Sequence, residues 1–226
     1  MKTSVAKSFR TTLANLRLSR RLLVAGMESS GSTLVFQIVN ELDVDPVKVH
    51  HYVPNARKAI VTYRDPRDII CSYAKRVYAS LIEEEGLEAA LIASYKRLFQ
   101  KFHRQDALRS YRDDGRALLL KYEDFFGGRE VDMFQRILGY LNLSVPDSRI
   151  NRILEEFSID KNRERASQFS QFGEFDPKSG VHGNHITSGG RSGVWKETLT
   201  PGAKVLIKQN LSDFLIEFGY ERDHQW

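Results

Sequence analysis

Residues 21–43 read RLLVAGMESSGSTLVFQIVNELD, and this stretch decides the fold. It begins with a short apolar run of strand length, continues as a glycine- and serine-rich turn, and ends with apolar residues at helical spacing. A strand, such a turn and a helix N-terminus together point backbone N–H groups at an anion. We therefore expect a phosphorylated or sulfated ligand at this turn.

The composition is that of one medium-sized domain, and we expect residues 1–226 to form it as a single unit. The net charge of +5 suits a small anionic ligand better than a nucleic acid, whose binding proteins carry denser basic stripes. No run approaches the about 18 apolar residues of a membrane span. The single cysteine, Cys71, excludes an internal disulfide and is typical of a reducing compartment. We expect a cytoplasmic protein with no nucleic-acid partner and no integral membrane segment.

Residues 1–20 contain lysines and arginines but no acidic residue. They lack the apolar h-region of a secretory signal, and their apolar side chains can line one side of a helix. A helix packed on the domain is the simpler interpretation. A basic arm that contacts a membrane surface or a partner is the alternative.

Strands and helices alternate along the rest of the chain. Apolar or β-branched runs predict further strands at residues 47–52, 58–63 and 117–122. Asp65 is a good N-cap and Pro66 suits the first helical position, so we expect a helix from there to about residue 81. Helical spacing predicts more helices at residues 87–102, 130–141, 147–157 and 205–218. This order predicts an α/β fold in three layers, α/β/α, with a central parallel sheet and a ligand at the carboxyl ends of its strands.

Residues 158–193 differ from the rest of the chain. They are polar and rich in glycine, with little periodicity. A stretch of this length without regular structure inside a compact domain is either disordered or a functional lid. We expect a lid loop.

The turn after the first strand nearly spells a Walker A loop. Gly26 and Gly31 have the required spacing and Thr33 occupies the hydroxyl position, but Ser32 stands where that motif has lysine. The loop therefore has no cation for the β- and γ-phosphates of ATP, which disfavours a kinase. Asp124, after the 117–122 strand, would be the metal-holding acid if the chain were one.

A second anion-binding constellation lies at residues 63–73, YRDPRDIICSY. Arg64 follows a strand, at the sheet edge where ligands bind, and Ser72 lies about two turns into the next helix. A surface ion pair of Arg64 with a nearby aspartate is the alternative interpretation. Two anion-suited sites, each at a strand end, predict a ligand with two separate anionic groups.

These segments resemble the sulfotransferases that use 3′-phosphoadenosine 5′-phosphosulfate (PAPS). In that family a loop of the type P-[KR]-S-G-T-T holds the 5′-phosphosulfate, and it matches Glu28, Ser29, Ser30, Gly31, Ser32 and Thr33 here. A segment R-[ND]-P-x-D-x-x-x-S holds the 3′-phosphate, and Arg64 and Ser72 match it at the family's spacing. Tyr122 opens a Y-E-D segment whose tyrosine lies near the adenine in the family. A late G-x-W-[KR] segment, from the loop that closes over the nucleotide, matches Gly193 and Trp195 and follows Arg191 and Ser192.

The chain departs from the family pattern at three places. Ser29 stands where the family has a basic residue near the bridging oxygen, and Leu34 where an aromatic ring often stacks on adenine. Residues 188–190 (SGG) replace an R-K-G triplet. Three residues are candidates for the missing positive charge: Lys48, Arg67 and Arg191.

The resemblance also implies a general base on the 47–52 strand. Many members carry K-x-H there, which fits Lys48 and His50, and strand alternation places these two side chains on one face. His51 faces the other way, and a shift of one residue in register would exchange the two histidines. A neutral imidazole is suited to taking a proton from a hydroxyl or amine. His50 is therefore the first candidate for the base, His51 the second, and Lys48 would steady the leaving oxygen.

The resemblance implies a P-loop-like sulfotransferase that moves a sulfuryl group from PAPS to a hydroxyl or amine of a small-molecule, sugar or lipid acceptor. The product would be 3′-phosphoadenosine 5′-phosphate (PAP), and the scheme requires no metal. The amides of residues 30–33 would hold the sulfonate and 5′-phosphate, and Arg64 and Ser72 the 3′-phosphate with help from Arg191. Two alternatives are a P-loop nucleotide-dependent small-molecule kinase and a non-catalytic nucleotide-binding protein of the same fold, which the missing charge at Ser29 motivates.

Overall fold

A computed structural model describes residue 18 and residues 20–171, 173–177, 179–183 and 190–226 of the chain. Its centre is a parallel four-stranded sheet with the order β2-β1-β3-β4. The strands are β1 Leu22–Gly26, β2 Val47–Val49, β3 Lys58–Tyr63 and β4 Ala117–Lys121. The chain passes from β1 to β2 on one side and returns to β3 on the other. This reversal of direction creates a crevice at the carboxyl ends of β1 and β3.

Helices cover both faces of the sheet. Those of the first half are α1 Ser32–Asn40, α2 Pro66–Val77, α3 Ala79–Glu85, α4 Leu87–Tyr95 and α5 Arg104–Asp114. Those of the second half are α6 Tyr122–Phe125, α7 Glu130–Leu141, α8 Asp147–Glu156, α9 Ile159–Ser167, α10 Trp195–Thr198 and α11 Pro201–Glu217. A π-helical turn, Lys96–Lys101, extends α4.

Two buried apolar clusters fill the spaces between these layers. Leu23 of β1 points into the cluster that α2, α4, α5 and α11 cover, and its neighbour Val24 points into the cluster under α1, α7 and α8. This alternation along β1 is the period-two pattern of a strand that is buried on both faces. The fold is therefore the three-layer α/β/α arrangement that the sequence predicts.

The segment after β3 begins a helix where the sequence predicts it. Asp65 accepts a hydrogen bond from the backbone N–H of Arg67 at 2.9 Å, and Pro66 occupies the first helical position. The helix ends at Val77 rather than near residue 81 because Tyr78 leaves helical geometry, with φ −117° and ψ 33°. The predicted strand at residues 47–52 is shorter, since only Val47–Val49 pairs with β1.

The expectation that residues 158–193 lack regular structure is wrong for their first part. Helix α9, Ile159–Ser167, begins at Ser158, whose side chain accepts from the backbone N–H of Lys161. The apolar periodicity does not reveal α9 because its buried residues are only Asn162 and Ala166. A side-chain hydrogen bond from Asn162 to Gln37 of α1, 3.0 Å long, fixes this helix to the domain.

Two other expectations concern the chain's ends and surroundings. The predicted helix or basic arm at residues 1–20 lies almost entirely outside the described residues. In the part of the chain that the structure describes, every helix is too short or too polar to cross a membrane.

Candidate functional site

The turn between β1 and α1 is packed tightly against β3. A Cβ on Gly26 would lie 2.2 Å from the Oγ1 of Thr62, so only glycine fits there. The Ser30 hydroxyl is buried and lies 2.7 Å from the same Thr62 oxygen, and it donates to the carbonyl of Met27 at 2.6 Å. Ser29 and Gly31 both have positive φ, 57° and 84°. The side chain of Ser30 therefore holds the loop in place, and an anion would meet the backbone amides of residues 30–33.

Arg64 lies at the carboxyl end of β3 and is only 3% exposed. Its Nη1 donates to the carbonyl of Ser29 at 3.1 Å, and its Nη2 to the carbonyl of Arg191 at 2.5 Å. The guanidinium carbon lies 4.3 Å from the ring centre of Tyr122. The buried Nε has no hydrogen-bond partner among the described residues. The pairing of Arg64 with Asp68, at 3.4 Å, leaves a cation with unused donor capacity in the crevice.

Ser72 of α2 joins the two predicted anion sites. Its hydroxyl donates to the hydroxyl of Ser29 at 3.1 Å, across 43 positions of sequence. Ser29, Ser72 and Arg64 line the same cleft, which has a volume of about 450 Å³. This volume lies within the range of roughly 300–1,000 Å³ that is typical of small-molecule sites.

The remaining walls of this cleft are mostly apolar. Tyr122 lines it, stacks on Phe126 with ring centres 4.7 Å apart, and donates to the carbonyl of Gly190 at 2.6 Å. Six other apolar side chains complete the wall. They belong to α1, α7, α8, the link between α8 and α9, α9 itself and the loop after α9: Leu34, Val131, Leu154, Phe157, Ile159 and Val181. A cleft with the buried cation Arg64 at one end and mostly apolar walls suits a nucleotide.

Gly193 and Trp195 of the late segment are tied to α2. Asp68 accepts from the backbone N–H groups of Gly193, at 2.7 Å, and Trp195, at 2.9 Å. The Trp195 ring lies 3.7 Å from the guanidinium of Arg67, which also contacts Trp226. Arg67 is bound by Asp65 and Glu221, so its charge is occupied away from the loop. The side chains of Arg191 and Ser192 are exposed.

Lys48 lies on the opposite side of the loop from Arg64. Its Nζ donates to the Oγ1 of Thr33 at 2.6 Å, and Thr33 also lines the cleft. Burial, together with the nearby charge of Arg76, lowers the pKa of Lys48 to about 8. Of the three cations considered for the missing charge at Ser29, Lys48 is thus the one in contact with the loop.

His50 follows β2 and faces the same loop. Its Nδ1 lies 2.8 Å from the carbonyl oxygen of Gly26. Because a carbonyl can only accept, Nδ1 carries the proton and Nε2 is the basic nitrogen. Burial lowers the pKa of His50, against the opposing effect of Glu28, so the imidazole is neutral at pH 7. His51 is exposed, and its carbonyl accepts from the hydroxyl of Tyr111 at 3.0 Å.

Three charged residues near His50 or Lys48 are not predicted from the sequence. Glu28 and Arg104 form a bidentate ion pair with distances of 2.6–3.0 Å, and Arg104 also donates to the His50 carbonyl. Arg76 of α2 is buried, with 7% exposure. No sequence pattern predicts the pairing of Glu28 with Arg104, which are 76 positions apart. Arg76 lies four positions after Ser72, a helical spacing that places both on one face.

The structure thus divides the predicted site residues into three groups. The loop, Arg64, Ser72 and Tyr122 surround the cleft, and Lys48 and His50 adjoin it at the loop's other side. Gly193 and Trp195 bind Asp68 of α2, behind the cleft. Among the described residues, no group of three or more histidine, cysteine, aspartate or glutamate side chains has an arrangement that could hold a metal ion.

Comparison with known proteins shows which family the chain belongs to. The family model described as a sulfotransferase domain matches residues 47–210, most of the chain. The chain belongs to the sulfotransferase family. The matched residues include Arg64, Ser72, Tyr122 and Trp195 and begin after the β1–α1 turn. Sulfuryl transfer is the activity of this family, and the family model gives no support to a kinase.

A solved structure has the same fold. Mouse sulfotransferase SULT7A1 complexed with PAP matches with a TM-score of 0.61 and 15% sequence identity, over 87% of this chain and 85% of that chain. At this identity the likeness concerns the arrangement of the backbone. No curated protein matches the sulfotransferase at a significant level.

Proposed function

We propose that this sulfotransferase uses PAPS and transfers its sulfuryl group to a hydroxyl or amine of a small acceptor. The observation that carries the proposal is the position of Thr33, which links the cleft to Lys48. This residue lines the cleft that holds Arg64 and Ser72, and it also accepts the hydrogen bond of Lys48. A nucleotide in the cleft would therefore present its 5′ end to Lys48 and His50.

Arg64 and Ser72 would bind the 3′-phosphate, and the amides of residues 30–33 the 5′-phosphosulfate. The unused Nε of the buried Arg64 supports this assignment, because a buried donor without a partner is costly unless a ligand supplies one. Tyr122 and the apolar walls would hold the adenosine. The contacts of Trp195 with Arg67 suggest that this tryptophan positions the late segment and does not touch the ligand.

His50 would remove the proton of the acceptor. In the transfer, the acceptor oxygen or nitrogen bonds to sulfur while the bond from sulfur to the 5′-phosphate oxygen breaks. The electron pair of that bond leaves with PAP, and the acceptor's proton goes to Nε2 of His50. Lys48 would place its positive charge beside the developing negative charge, which is the main contribution that a protein makes to transfers of this kind.

The pH dependence follows from these two groups. His50 must be neutral, and burial holds its pKa below its ordinary 6.5, so kcat/KM falls only when the pH drops through that lowered value. Lys48 must be charged, and its pKa of about 8 means that kcat/KM falls again as the pH rises through that value. We expect a bell-shaped profile of kcat/KM in a series of buffers.

Lys48→Arg is the control for the alkaline limb of this profile. Arginine stays charged throughout, so this variant should lose the decline near pH 8 even if its overall rate is lower. An alkaline limb that stays in place in Lys48→Arg would assign it to another group.

Incubation with PAPS labelled in its sulfuryl group, with a panel of phenols, alcohols, amines and sugars, tests the proposed reaction. We expect label in at least one acceptor, with one PAP released for each transfer. Binding of PAPS without transfer to any panel member would favour a non-catalytic nucleotide-binding protein, which is the alternative that Ser29 motivates.

The buried Cys71, with a pKa raised to about 12 by burial, is unreactive and compatible with the cytoplasmic location that we propose.

A further inference from the structure

The β1–α1 loop has no basic side chain of its own at the 5′ end of the cleft. Ser29 occupies the position next to Ser30 and Gly31, and its hydroxyl accepts from Ser72. A sulfuryl group that transfers between two oxygen atoms carries negative charge on its outer oxygens throughout. One lysine, Lys48, contacts the loop from the β2 side. Helix α2 contacts Ser29 from the other side, through Ser72.

Helix α2 presents a second buried cation there. Ser72 and Arg76 are four residues apart on α2, which places their side chains on one face, one above the other. Ser72 reaches the side chain of Ser29 at 3.1 Å, so the long side chain of Arg76 starts one turn farther along the same face. Arg76 is 7% exposed, and the helix directs it into the protein.

The guanidinium carbon of Arg76 lies 5.6 Å from the ring centre of Tyr73 on the same helix. It is close enough to Lys48 that its charge lowers the pKa of that lysine, and close enough to Glu28 that the carboxylate raises its own. Burial is the larger effect on Arg76 and lowers its pKa to about 10. Arg76 thus has the loop residue Glu28 and the β2 residue Lys48 among its charged neighbours.

One carboxylate, that of Glu28, acts on several groups at this place. Glu28 is the acidic residue that acts on both Arg76 and His50, and it already forms a bidentate pair with Arg104. Arg76 and Arg104 therefore share this carboxylate. Two buried cations that repel each other are unfavourable in the empty protein, and an added anion between them would relieve this repulsion.

We propose that Arg76 supplies, from helix α2, the positive charge that Ser29 does not provide, and that its guanidinium contacts the sulfuryl group of bound PAPS opposite Lys48. This inference rests on the proposed function. The bonds made and broken are those given above: sulfur gains the acceptor atom and loses the 5′-phosphate oxygen, whose electron pair leaves with PAP. Arg76 gains and loses no proton in this step.

Calorimetric titration of the whole chain with PAPS and with PAP, in the absence of any acceptor, tests this inference. PAP lacks the sulfuryl group, so Arg76→Met should weaken PAPS binding by ~10-fold, the value of one charge-assisted contact, and change PAP binding by less than about threefold. The rate of transfer to the best acceptor of the panel should fall by ~10²–10³-fold, as for loss of one oxyanion-stabilising donor. Lys75→Met, at the exposed neighbouring position on α2, is the matched control and should change none of these values.

Two further variants separate the charge from the packing of Arg76. Arg76→Lys keeps the charge, and the double variant Ser29→Lys with Arg76→Met returns it from the loop. We expect either one to recover at least about tenfold of the PAPS affinity or rate that Arg76→Met loses. Equal losses for PAP and PAPS, or no loss for PAPS, would overturn the inference. If Arg76→Met does not fold, Arg76→Gln takes its place: a PAPS-to-PAP affinity ratio reduced by about tenfold supports the inference, and a ratio equal to that of wild type overturns it. Failure of the wild type to bind either nucleotide would instead reject the proposed function.

Discussion

Replacing His50 with alanine is expected to lower kcat by ~10²–10⁴-fold, the usual contribution of a general base. The imidazole has its Nδ1 proton fixed by the Gly26 carbonyl at 2.8 Å, so Nε2 is available for the acceptor's proton. Because His50 does not line the nucleotide cleft, PAP affinity should stay within about threefold of wild type. Single-turnover transfer from labelled PAPS and calorimetry with PAP measure the two effects.

His51→Ala, measured in parallel, decides between the two histidines. His51 is exposed and its backbone carbonyl accepts from Tyr111, so we expect a loss of less than about tenfold. His103→Ala, an exposed histidine at the start of α5, is the control for removing an imidazole from the surface. A larger loss in His51→Ala than in His50→Ala would reverse the assignment, and an unchanged rate in both variants would remove histidine as the base.

Replacing Arg64 with methionine should weaken PAP binding by ~100-fold or more. A hydrogen bond to a charged group contributes about 1.5–3 kcal/mol, and a guanidinium can make two of them to one phosphate. Arg64→Lys keeps the charge but not the planar fork, so its loss should be intermediate, about tenfold. Calorimetric titration with PAP measures both variants.

Arg64 also contacts the backbone of the protein, so stability must be measured beside affinity. Its bonds to the carbonyls of Ser29 and Arg191 hold the loop and the late segment together. Arg112→Met, which removes an exposed arginine paired with Glu217, is the control for loss of charge alone. If Arg64→Met keeps its melting temperature and binds PAP as tightly as wild type, the 3′-phosphate is bound elsewhere.

Much of the fold is predictable from local sequence. The strand, turn and helix at residues 21–43 form as expected, and Asp65 caps its helix as its position before Pro66 predicts. Helix α9 is not predictable in this way, because a side-chain hydrogen bond between Asn162 and Gln37 holds it and few apolar residues mark it. Apolar periodicity detects only helices that bury an apolar face.

The individual residues of the candidate site can be found from the sequence where a short motif contains them. The contacts of Ser72 with Ser29 and of Lys48 with Thr33 bring together residues that motifs single out. The pairing of Glu28 with Arg104 joins residues 76 positions apart, and no local pattern specifies a contact of that range. For Trp195 the motif is recognisable in the sequence, but the ring packs on Arg67, which the motif does not predict. Sequence thus indicates which chemistry is present, and the packing decides which groups face the cleft.

Calorimetric titration of the wild-type chain with PAP and with ATP, in the same buffer, tests the central claim most directly. The cleft places Arg64 and Ser72 where a 3′-phosphate would lie, and Ser32 leaves the loop without the lysine that ATP requires. We predict binding of one PAP per chain, at least ~100-fold tighter than ATP, because ATP has no 3′-phosphate to meet Arg64. Tighter binding of ATP, or no binding of PAP, would contradict the account.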